Sequence, residues 1–287
     1  MYSKKQKWIK DEYCKNEIIH HRIKKTILNE KTFFQEIQIV DLFDYGRSLF
    51  IDGIPQSSAK DEFIYHESLI HPAIILVSKR KDLKVLILGT GEGATIRELL
   101  KYKFIKKIDA VDIDKKAIQI YRKYLKGVHH NSYDNKKVRL VFEGAIEFLK
   151  NSKEKYDIII SDITDVDFFD LGEKEIYKQE DFYKLIRARL KNSGILAMHS
   201  SELTFIHNKK HKDLKKSVKK VMTNVYSYSV YVPFFECQWG FLLATKNNKI
   251  RPDIMTEDDF SKKIDKSINL RFIDKKVLRS IFNTNLW

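Results

Sequence analysis

The sequence predicts an α/β fold in two parts: a small N-terminal antiparallel β-domain over residues 1–60 and a larger domain over residues 61–287. Two observations support this prediction. Up to about residue 60, short β-branched and aromatic segments are separated by turn residues. From Lys84 onward, short apolar strands alternate with segments whose apolar residues have helical spacing, which implies a mostly parallel sheet covered on both faces.

The N-terminal part contains three predicted strands. They cover Ile18 to Ile23, Phe33 to Val40 and Ser48 to Ile51. We expect turns between them at Asn29 and at Tyr45-Gly46, since Asn and Gly tolerate turn conformations. A small antiparallel module follows from short strands joined in this way.

The larger domain contains five predicted buried strands with helices between them. The strands are 85–89, 108–112, 138–142, 157–161 and 194–199, and the helices are 95–103, 115–125, 145–151 and 180–190. After a lysine-rich helix at 210–222, two more strands at 226–232 and 239–245 are joined by so few residues that they must be antiparallel. A mostly parallel sheet that ends in an antiparallel hairpin is the outline of a methyltransferase-like Rossmann fold.

Composition excludes several classes of protein. With 43% hydrophobic residues the 287-residue chain is not a disordered polymer, and it has no apolar run of the roughly 20 residues that a membrane span needs. The two cysteines, Cys14 and Cys237, form no CxxC, which fits a reducing compartment, and we expect a cytoplasmic protein without a membrane partner. The net charge of +15 raises nucleic acid as a partner, but the lysines are scattered and no recognition motif accompanies them.

A glycine-rich run, GTGEG from Gly89 to Gly93, follows one buried strand and opens a helix. Its glycines allow a tight turn and a close approach to a ligand. Asp112 ends the next strand, where a carboxylate typically binds ribose hydroxyls, so we favour a nucleoside site over a purely structural turn. The residues after Gly93 are Ala94 and Thr95, which departs from the dinucleotide pattern GxGxxG and favours a ligand of the adenosylmethionine type over NAD.

Acidic residues collect at the same predicted edge of the sheet. Asp162 and Asp165 follow the strand that ends at Ser161, although an Asp in this position can also merely cap a turn. With Glu92 and Asp112 they place four acids in the crevice of a basic protein. That arrangement suits a cationic ligand better than a phosphate.

At these residues the chain resembles the spermidine synthase family over nearly its whole length. The segment IDGIPQSSAKDEFIYHESLIH, from Ile51 to His71, looks like the family signature in which a DG turn and a Gln precede DEFxYHE. VLILGTGEGATIRELL resembles the family's VLIIGGGDGGxxREVL, and DITD resembles its DSSD. QWGFLLATK and LRFIDKKVLRSIF resemble its last strand and its C-terminal end.

The resemblance implies a polyamine aminopropyltransferase. Such an enzyme moves the aminopropyl group of decarboxylated S-adenosylmethionine, as a co-substrate and without a cofactor or metal, to putrescine or a similar amine, giving spermidine and methylthioadenosine. Asp162 would be the proton acceptor. Donor-binding positions would be Gln35, Gly89, Gly91, Glu92, Asp112, Gly144 and Ala145. Amine-binding positions would be Gln56, Tyr65, His66, Glu92, Asp165 and Phe234. The resemblance also implies a homodimer or homotetramer.

Several positions depart from the family pattern. Gly144 lacks the side chain expected to accept a hydrogen bond from the adenine amino group, Val166 replaces a Pro, and His199 replaces a Gln. Glu92 in the glycine loop and Phe234 look more like the thermospermine synthase branch, so a triamine acceptor stays open. Two further alternatives are an S-adenosylmethionine-dependent methyltransferase and a non-enzymatic protein that binds a nucleoside or polyamine.

Overall fold

The computed structural model of the chain describes residues 7–14, 17–77, 81–163 and 180–283. Within these ranges the chain forms a five-stranded sheet followed by a seven-stranded sheet with helices packed on it. Among the helices of the described residues, none has both the length and the hydropathy that a membrane crossing needs.

The first sheet is antiparallel throughout, with its strands in chain order. They are β1 (Lys7–Cys14), β2 (Glu17–Lys31), β3 (Glu36–Leu42), β4 (Gly46–Ile51) and β5 (Ile54–Ser58). β5 ends at Ser58 and the helix that follows begins at Glu62. The predicted domain boundary between residues 60 and 61 falls between these two elements, and the division into domains stays a prediction.

The predicted turn at Asn29 is wrong. Asn29 lies inside β2 and pairs with Gln38 of β3. The chain reverses at Thr32 instead, because the Thr32 hydroxyl accepts hydrogen bonds from the backbone N–H groups of Phe34 and Gln35, both at 3.1 Å. Phe33 is therefore a turn residue and does not begin a strand.

The second sheet confirms the predicted strands and hairpin. Its strand order is β11-β12-β10-β9-β6-β7-β8, and only β12 runs against its neighbours. The strands are β6 (Leu83–Leu88), β7 (Ile105–Asp112), β8 (Val138–Phe142), β9 (Tyr156–Ser161), β10 (Leu190–Glu202), β11 (Asn224–Val232) and β12 (Cys237–Thr245). This is the Rossmann-like arrangement that the sequence predicts.

Helices cover both faces of this sheet, and their apolar residues form two core clusters. They are α1 (Glu62–Val77), α2 (Ala94–Leu100), α3 (Lys115–Tyr124), α4 (Lys126–His129), α5 (Ala145–Asn151), α6 (Glu180–Arg189), α7 (Lys209–Lys219), α8 (Glu257–Ser261) and α9 (Lys275–Asn283). One cluster joins α1, α2, α3 and α9 to the sheet, and the other joins α5, α6 and α7 to its opposite face. The sheet is thus buried between two helical layers.

Four loops meet at one edge of the sheet. The parallel strands β9, β6, β7 and β8 lie side by side, and their ends are in register: Leu88 is opposite both Ser161 and Val111, and Asp112 is opposite Phe142. The segments that begin at residues 162, 89, 113 and 143 therefore leave the sheet as neighbours, in that spatial order. Ligands of open α/β folds bind at this carboxyl edge.

Candidate active site

The glycine loop after β6 is built on left-handed backbone. Gly89, Gly91 and Gly93 have φ values of 82°, 53° and 86°, a region that L side chains rarely adopt. A Cβ atom on Gly89 would lie 2.7 Å from the carbonyl carbon of Asp162 and 2.8 Å from Cα of Ile163. The loops after β6 and β9 therefore touch through their backbones, and only glycine allows that approach.

Asp112 fixes the shape of this loop. Its Oδ2 accepts hydrogen bonds from the backbone N–H groups of Thr90 at 2.9 Å and Gly91 at 3.3 Å, and its Oδ1 accepts from Asp114 N–H at 2.9 Å. Burial raises the pKa of Asp112, and these three hydrogen bonds favour its charged form. Asp112 thus lies where the sequence predicts, and the ribose role predicted for it remains compatible with the lone pairs that its oxygens retain.

Asp114 is a residue of this region that the sequence interpretation missed. Its Oδ1 caps α3 by accepting from Ala117 N–H at 3.0 Å, while its Oδ2 accepts from Thr32 Oγ1 at 2.5 Å and from the Gln35 amide at 3.2 Å. The predicted donor residue Gln35 is thus held at the end of β7 by a bond to Asp114. An Asp directly before a helical pattern is an N-cap signal, so the sequence does carry a hint of this residue.

Gly144 and Ala145 are the N-cap and the first residue of α5. They lie beside Asp112 at the edge, because β8 is the neighbour of β7. The carboxylate of Glu147 lies over Gly144, and a Cβ atom built on this glycine would be 3.2 Å from Glu147 Cδ and closer still to its Oε2. The space next to Gly144 is therefore occupied by a carboxylate from the next turn of the chain.

Asp162 is the acid that faces both the glycine loop and α1. Its backbone N–H donates to the carbonyl of Leu88 at 2.8 Å, which continues the parallel pairing of β9 and β6 by one residue. Its Oδ1 accepts from Tyr65 Oη at 2.6 Å and its Oδ2 accepts from Thr95 Oγ1 at 2.9 Å. Two neutral donors thus hold the carboxylate in place without neutralising its charge.

A buried ionic cluster lies next to this carboxylate. His66 Nδ1 is 2.9 Å from Glu62 Oε2 and its Nε2 is 3.6 Å from Glu92 Oε1. Burial opposes the charged imidazolium, but the hydrogen bond with Glu62 and the charge of Glu92 outweigh that effect and raise the pKa of His66 to about 9. These contacts favour the imidazolium form of His66 at neutral pH.

Glu62 holds this cluster together through two partners. Arg97 Nη1 and Nη2 donate to its two carboxylate oxygens, each at 2.9 Å, in a bidentate pair. Burial would raise the pKa of Glu62, but the hydrogen bonds with His66 and Arg97 lower it to about 2. The sequence interpretation missed both Glu62 and Arg97, since their pairing joins α1 to α2 across 35 residues of chain.

Aromatic rings surround Tyr65 on its other sides. Its ring centroid is 5.9 Å from that of Phe235 and 6.3 Å from that of His199, and Trp239 stacks on His199 at 6.1 Å. His199 also bonds through Nε2 to the carbonyl of Ile163 at 2.8 Å, directly after Asp162. The side of the crevice that faces β10 and β12 is therefore lined by rings, which suits the methylene groups of an aliphatic amine.

Two predicted amine-binding positions are not brought to this cluster by their described contacts, and a third lies outside the described residues. Phe234 is fully buried under the first sheet, against His21, Tyr45 and Phe50, so it has no surface to offer a ligand, and Phe235 is the ring beside Tyr65. Gln56 lies on β5 and its amide donates to the carbonyl of Ile54 at 3.4 Å. Asp165 and Val166 lie outside the described residues.

A second group of titratable side chains is joined to this cluster by Arg97, which contacts both Glu62 and Glu98. Glu67, His71 and Glu98 have the spacing of a metal site, and all three are buried. Glu67 accepts from three consecutive backbone N–H groups of residues 271–273, and His71 bonds to Glu98 at 2.8 Å and to Tyr102 at 2.7 Å. These bonds tie α1 to α2 and to the segment before α9, which is a structural role.

The sheet order, the glycine loop and the carboxylate that holds it define a Rossmann-like domain of the methyltransferase type. Residues 62–253 match the family model described as spermine/spermidine synthase domain, and residues 7–58 match the spermidine synthase tetramerisation domain. The chain belongs to the spermine/spermidine synthase family.

Individual relatives agree with this assignment. The chain is 36% identical to a polyamine aminopropyltransferase of Saccharolobus solfataricus over 93% of this chain and 87% of that protein. It is 31% identical to polyamine aminopropyltransferase 2 of Pseudomonas aeruginosa over 88% of this chain and 71% of that protein. It also resembles a crystal structure of a spermidine synthase in complex with the transition state analogue AdoDATO, with a TM-score of 0.85, 25% identity, and coverage of 99% of this chain and 93% of the other.

Proposed function

We propose that this chain transfers the aminopropyl group of decarboxylated S-adenosylmethionine to putrescine or a similar aliphatic amine, giving spermidine and methylthioadenosine. The observation that carries the proposal is the position of Asp162, between the glycine loop on one side and Tyr65 and His66 on the other. A nucleoside donor on the glycine loop and an amine beside Tyr65 would meet at this carboxylate. The AdoDATO complex of a similar spermidine synthase supports the same reading.

The donor side supplies the electrophile. A sulfonium makes its neighbouring carbon electrophilic, and when the amine nitrogen forms its new bond to that carbon, the carbon–sulfur bond breaks and its electron pair stays on sulfur. The donor amine, which remains after decarboxylation, would lie near Glu92, a buried acid that is 8% exposed. A carboxylate there favours a cationic amine and disfavours the carboxylate of ordinary S-adenosylmethionine, which is an argument against a methyltransferase.

Asp162 would act on the acceptor. An alkyl amine is mostly protonated at neutral pH, because its pKa is near 10 as for lysine, so it must lose a proton before it can attack. Asp162 keeps lone pairs beyond those used by Tyr65 and Thr95, and can take the proton that the nitrogen loses. The rings of Phe235 and Trp239 would contact the methylene chain.

The acceptor and the reaction can be established in one assay. The purified protein would be incubated with decarboxylated S-adenosylmethionine and, separately, with putrescine, cadaverine, agmatine or spermidine, followed by mass detection of the aminopropylated amine and of methylthioadenosine. We expect putrescine to be converted most efficiently, whereas preference for spermidine would establish the triamine alternative. Methyl transfer from S-adenosylmethionine, without aminopropyl transfer to any of these amines, would overturn the proposal.

The match of residues 7–58 to a tetramerisation domain supports the further proposal that the chain assembles as a homodimer or homotetramer. Light scattering on the purified protein measures this directly. A monomer at micromolar concentration would contradict it.

A further inference from the structure

The order of loops along the sheet edge determines where the donor's base lies. In the proposed function the reacting carbon lies near Asp162, at the junction of β9 and β6, and Asp112, the proposed ribose ligand, ends β7, which is the next strand. A nucleoside that extends from β6 to β7 places its base further along the same edge, beyond β7. The loop after β8, which begins beside Asp112, is therefore the wall of the base site.

Glu147 supplies a carboxylate at this position. Its side chain folds back over Gly144, into the space that a side chain on residue 144 would fill. Ile113, which follows Asp112, is 52% exposed and offers an apolar surface at the same edge. An apolar surface beside a hydrogen-bond acceptor is the combination that recognises a flat base with an exocyclic amino group.

We propose that the Glu147 carboxylate accepts a hydrogen bond from the 6-amino group of the donor's adenine, and so selects adenine over 6-oxopurines. The inference rests on the proposed function, since it assumes that an adenosyl donor binds the glycine loop. An ionised carboxylate is only an acceptor, so it attracts an amino group and repels the 6-oxo group of hypoxanthine. Glu147 is thus the residue that determines base specificity, since Gly144 has no side chain that could accept a hydrogen bond from the base.

A structural role for Glu147 makes a different prediction. A Glu at the third position of a helix can reach back to the N-cap N–H and stabilise the helix end. In α8 such a reciprocal cap is formed by Thr256 and Asp259, whereas α5 begins at Gly144 without a side-chain cap. If Glu147 only stabilised α5, its replacement would lower the thermal stability and leave the choice of base unchanged.

Calorimetry with methylthioadenosine and methylthioinosine measures the preference for adenine over a 6-oxopurine without any turnover. We expect the unmodified protein to prefer methylthioadenosine by about tenfold or more, since a hydrogen bond to a charged group is gained with one base and a repulsion arises with the other. In Glu147→Gln the amide can accept from an amino group or donate to an oxo group, so the preference should shrink to within about threefold. Glu143→Gln, a neighbouring acid on the same loop, is the matched control and should keep the preference.

A rescue variant separates the role of Glu147 from the stability of α5. Glu147→Ala should lose the preference, and the double variant Glu147→Ala/Gly144→Asp should regain it. The backbone at residue 144 has φ −64° and ψ 145°, which an Asp adopts without strain, and removal of the Glu147 carboxylate makes room for its side chain.

Each outcome has a distinct meaning. If the protein binds neither nucleoside, the proposed function itself fails. If it binds both with equal affinity, or if Glu147→Gln keeps the full preference, the inference about Glu147 is overturned and the proposed function stands. A fall in thermal stability with an unchanged preference assigns Glu147 a structural role and also overturns the inference.

Discussion

The crevice has a proposed donor side, at the glycine loop, and a proposed acceptor side, around Tyr65, and the two sides are built from different parts of the chain. On the donor side the glycine loop takes its shape from left-handed backbone and from the hydrogen bonds that its N–H groups donate to Asp112. On the acceptor side the surface consists of side chains from distant elements, such as Tyr65 on α1 and Trp239 on β12. The first needs only two neighbouring strands, β6 and β7, and the glycine loop, whereas the second exists only after the whole domain has folded.

This difference bears on how the two sides tolerate change. A backbone site keeps its geometry when neighbouring side chains vary, as long as the glycines and Asp112, which accepts hydrogen bonds from the loop, remain. A site made of side chains changes its shape and charge with each substitution, and His199, which departs from the family pattern, lies on that side, beside Tyr65. We therefore expect variants on the acceptor side to alter catalysis and amine choice, and variants on the donor side to alter nucleoside binding and stability.

Replacement of Asp162 by Asn tests the acceptor side with the largest expected effect. The amide keeps the size of the side chain and can still accept from Tyr65, but it cannot take up a proton, so kcat should fall by about 10²-fold or more. The affinity for methylthioadenosine should change by less than about threefold, because Asp162 contributes to the transition state more than to nucleoside binding. Steady-state kinetics and calorimetry measure the two quantities.

The control for this variant is Asp181→Asn, which removes an acid whose side chain is 85% exposed on α6. It should leave both quantities unchanged. Near-normal turnover in Asp162→Asn would shift the role of the base to Glu92. An equal loss of nucleoside affinity and turnover would show that the two sides are not separable.

Two glycine variants test the donor side. Gly89→Ala places a methyl group against the backbone of Asp162 and Ile163 on left-handed backbone, and should destabilise the protein by about 2 kcal/mol or more. Gly91→Ala is the matched control: φ is also positive, but the described structure leaves open space around the added methyl group, so about 1 kcal/mol is expected. Thermal unfolding ranks the two variants.

Gly89→Ala should also weaken methylthioadenosine binding and slow turnover together, because the same methyl group displaces the glycine loop and Asp162, the proposed base. This differs from Asp162→Asn, which should affect turnover alone. Equal melting temperatures for Gly89→Ala and Gly91→Ala would mean that the close contact of the two loops is relieved at little cost.

The sequence predicted the elements around the glycine loop well because their signals are local. β8 and α5 have the predicted bounds, and the glycine loop and Asp112 lie where the spacing places them. The turn at Asn29 was wrong because the hydroxyl of Thr32, three residues further along the chain, forms the turn by accepting hydrogen bonds from the backbone. Periodicity does not report such a side-chain bond.

The acceptor side was predicted in part. Asp162 and His66 are brought to one cluster, but the Glu62–Arg97 pair that sets the charge of His66 depends on how α1 packs on α2. Phe234 and Phe235 are adjacent in sequence and point to different surroundings, a buried cluster and the crevice. The orientation of such neighbours is decided by tertiary packing, and no pattern in the sequence distinguishes them.

The pH dependence of stability provides the smallest of these effects and tests the electrostatics of the acceptor side. The pKa of His66 is raised from 6.5 to about 9, so the folded protein binds a proton more tightly than the unfolded chain does. That contribution to stability is fully present below pH 6.5 and is lost as the pH rises through 9. It is on the order of 3 kcal/mol.

The variant His66→Gln should remove this dependence. We expect the melting temperature of the unmodified protein to decline between pH 6.5 and 9.5 more steeply than that of His66→Gln, whereas the exposed-residue control His20→Gln should decline as the unmodified protein does. The slope of the melting temperature against pH is the informative quantity. The absolute melting temperature is not, because loss of the Glu62 and Glu92 contacts lowers the stability of His66→Gln at every pH. Parallel slopes in all three proteins would mean that His66 is neutral in the folded state. Glu92 would then lack a cationic neighbour, and the acceptor side would carry more negative charge toward an incoming amine than the contacts of His66 indicate.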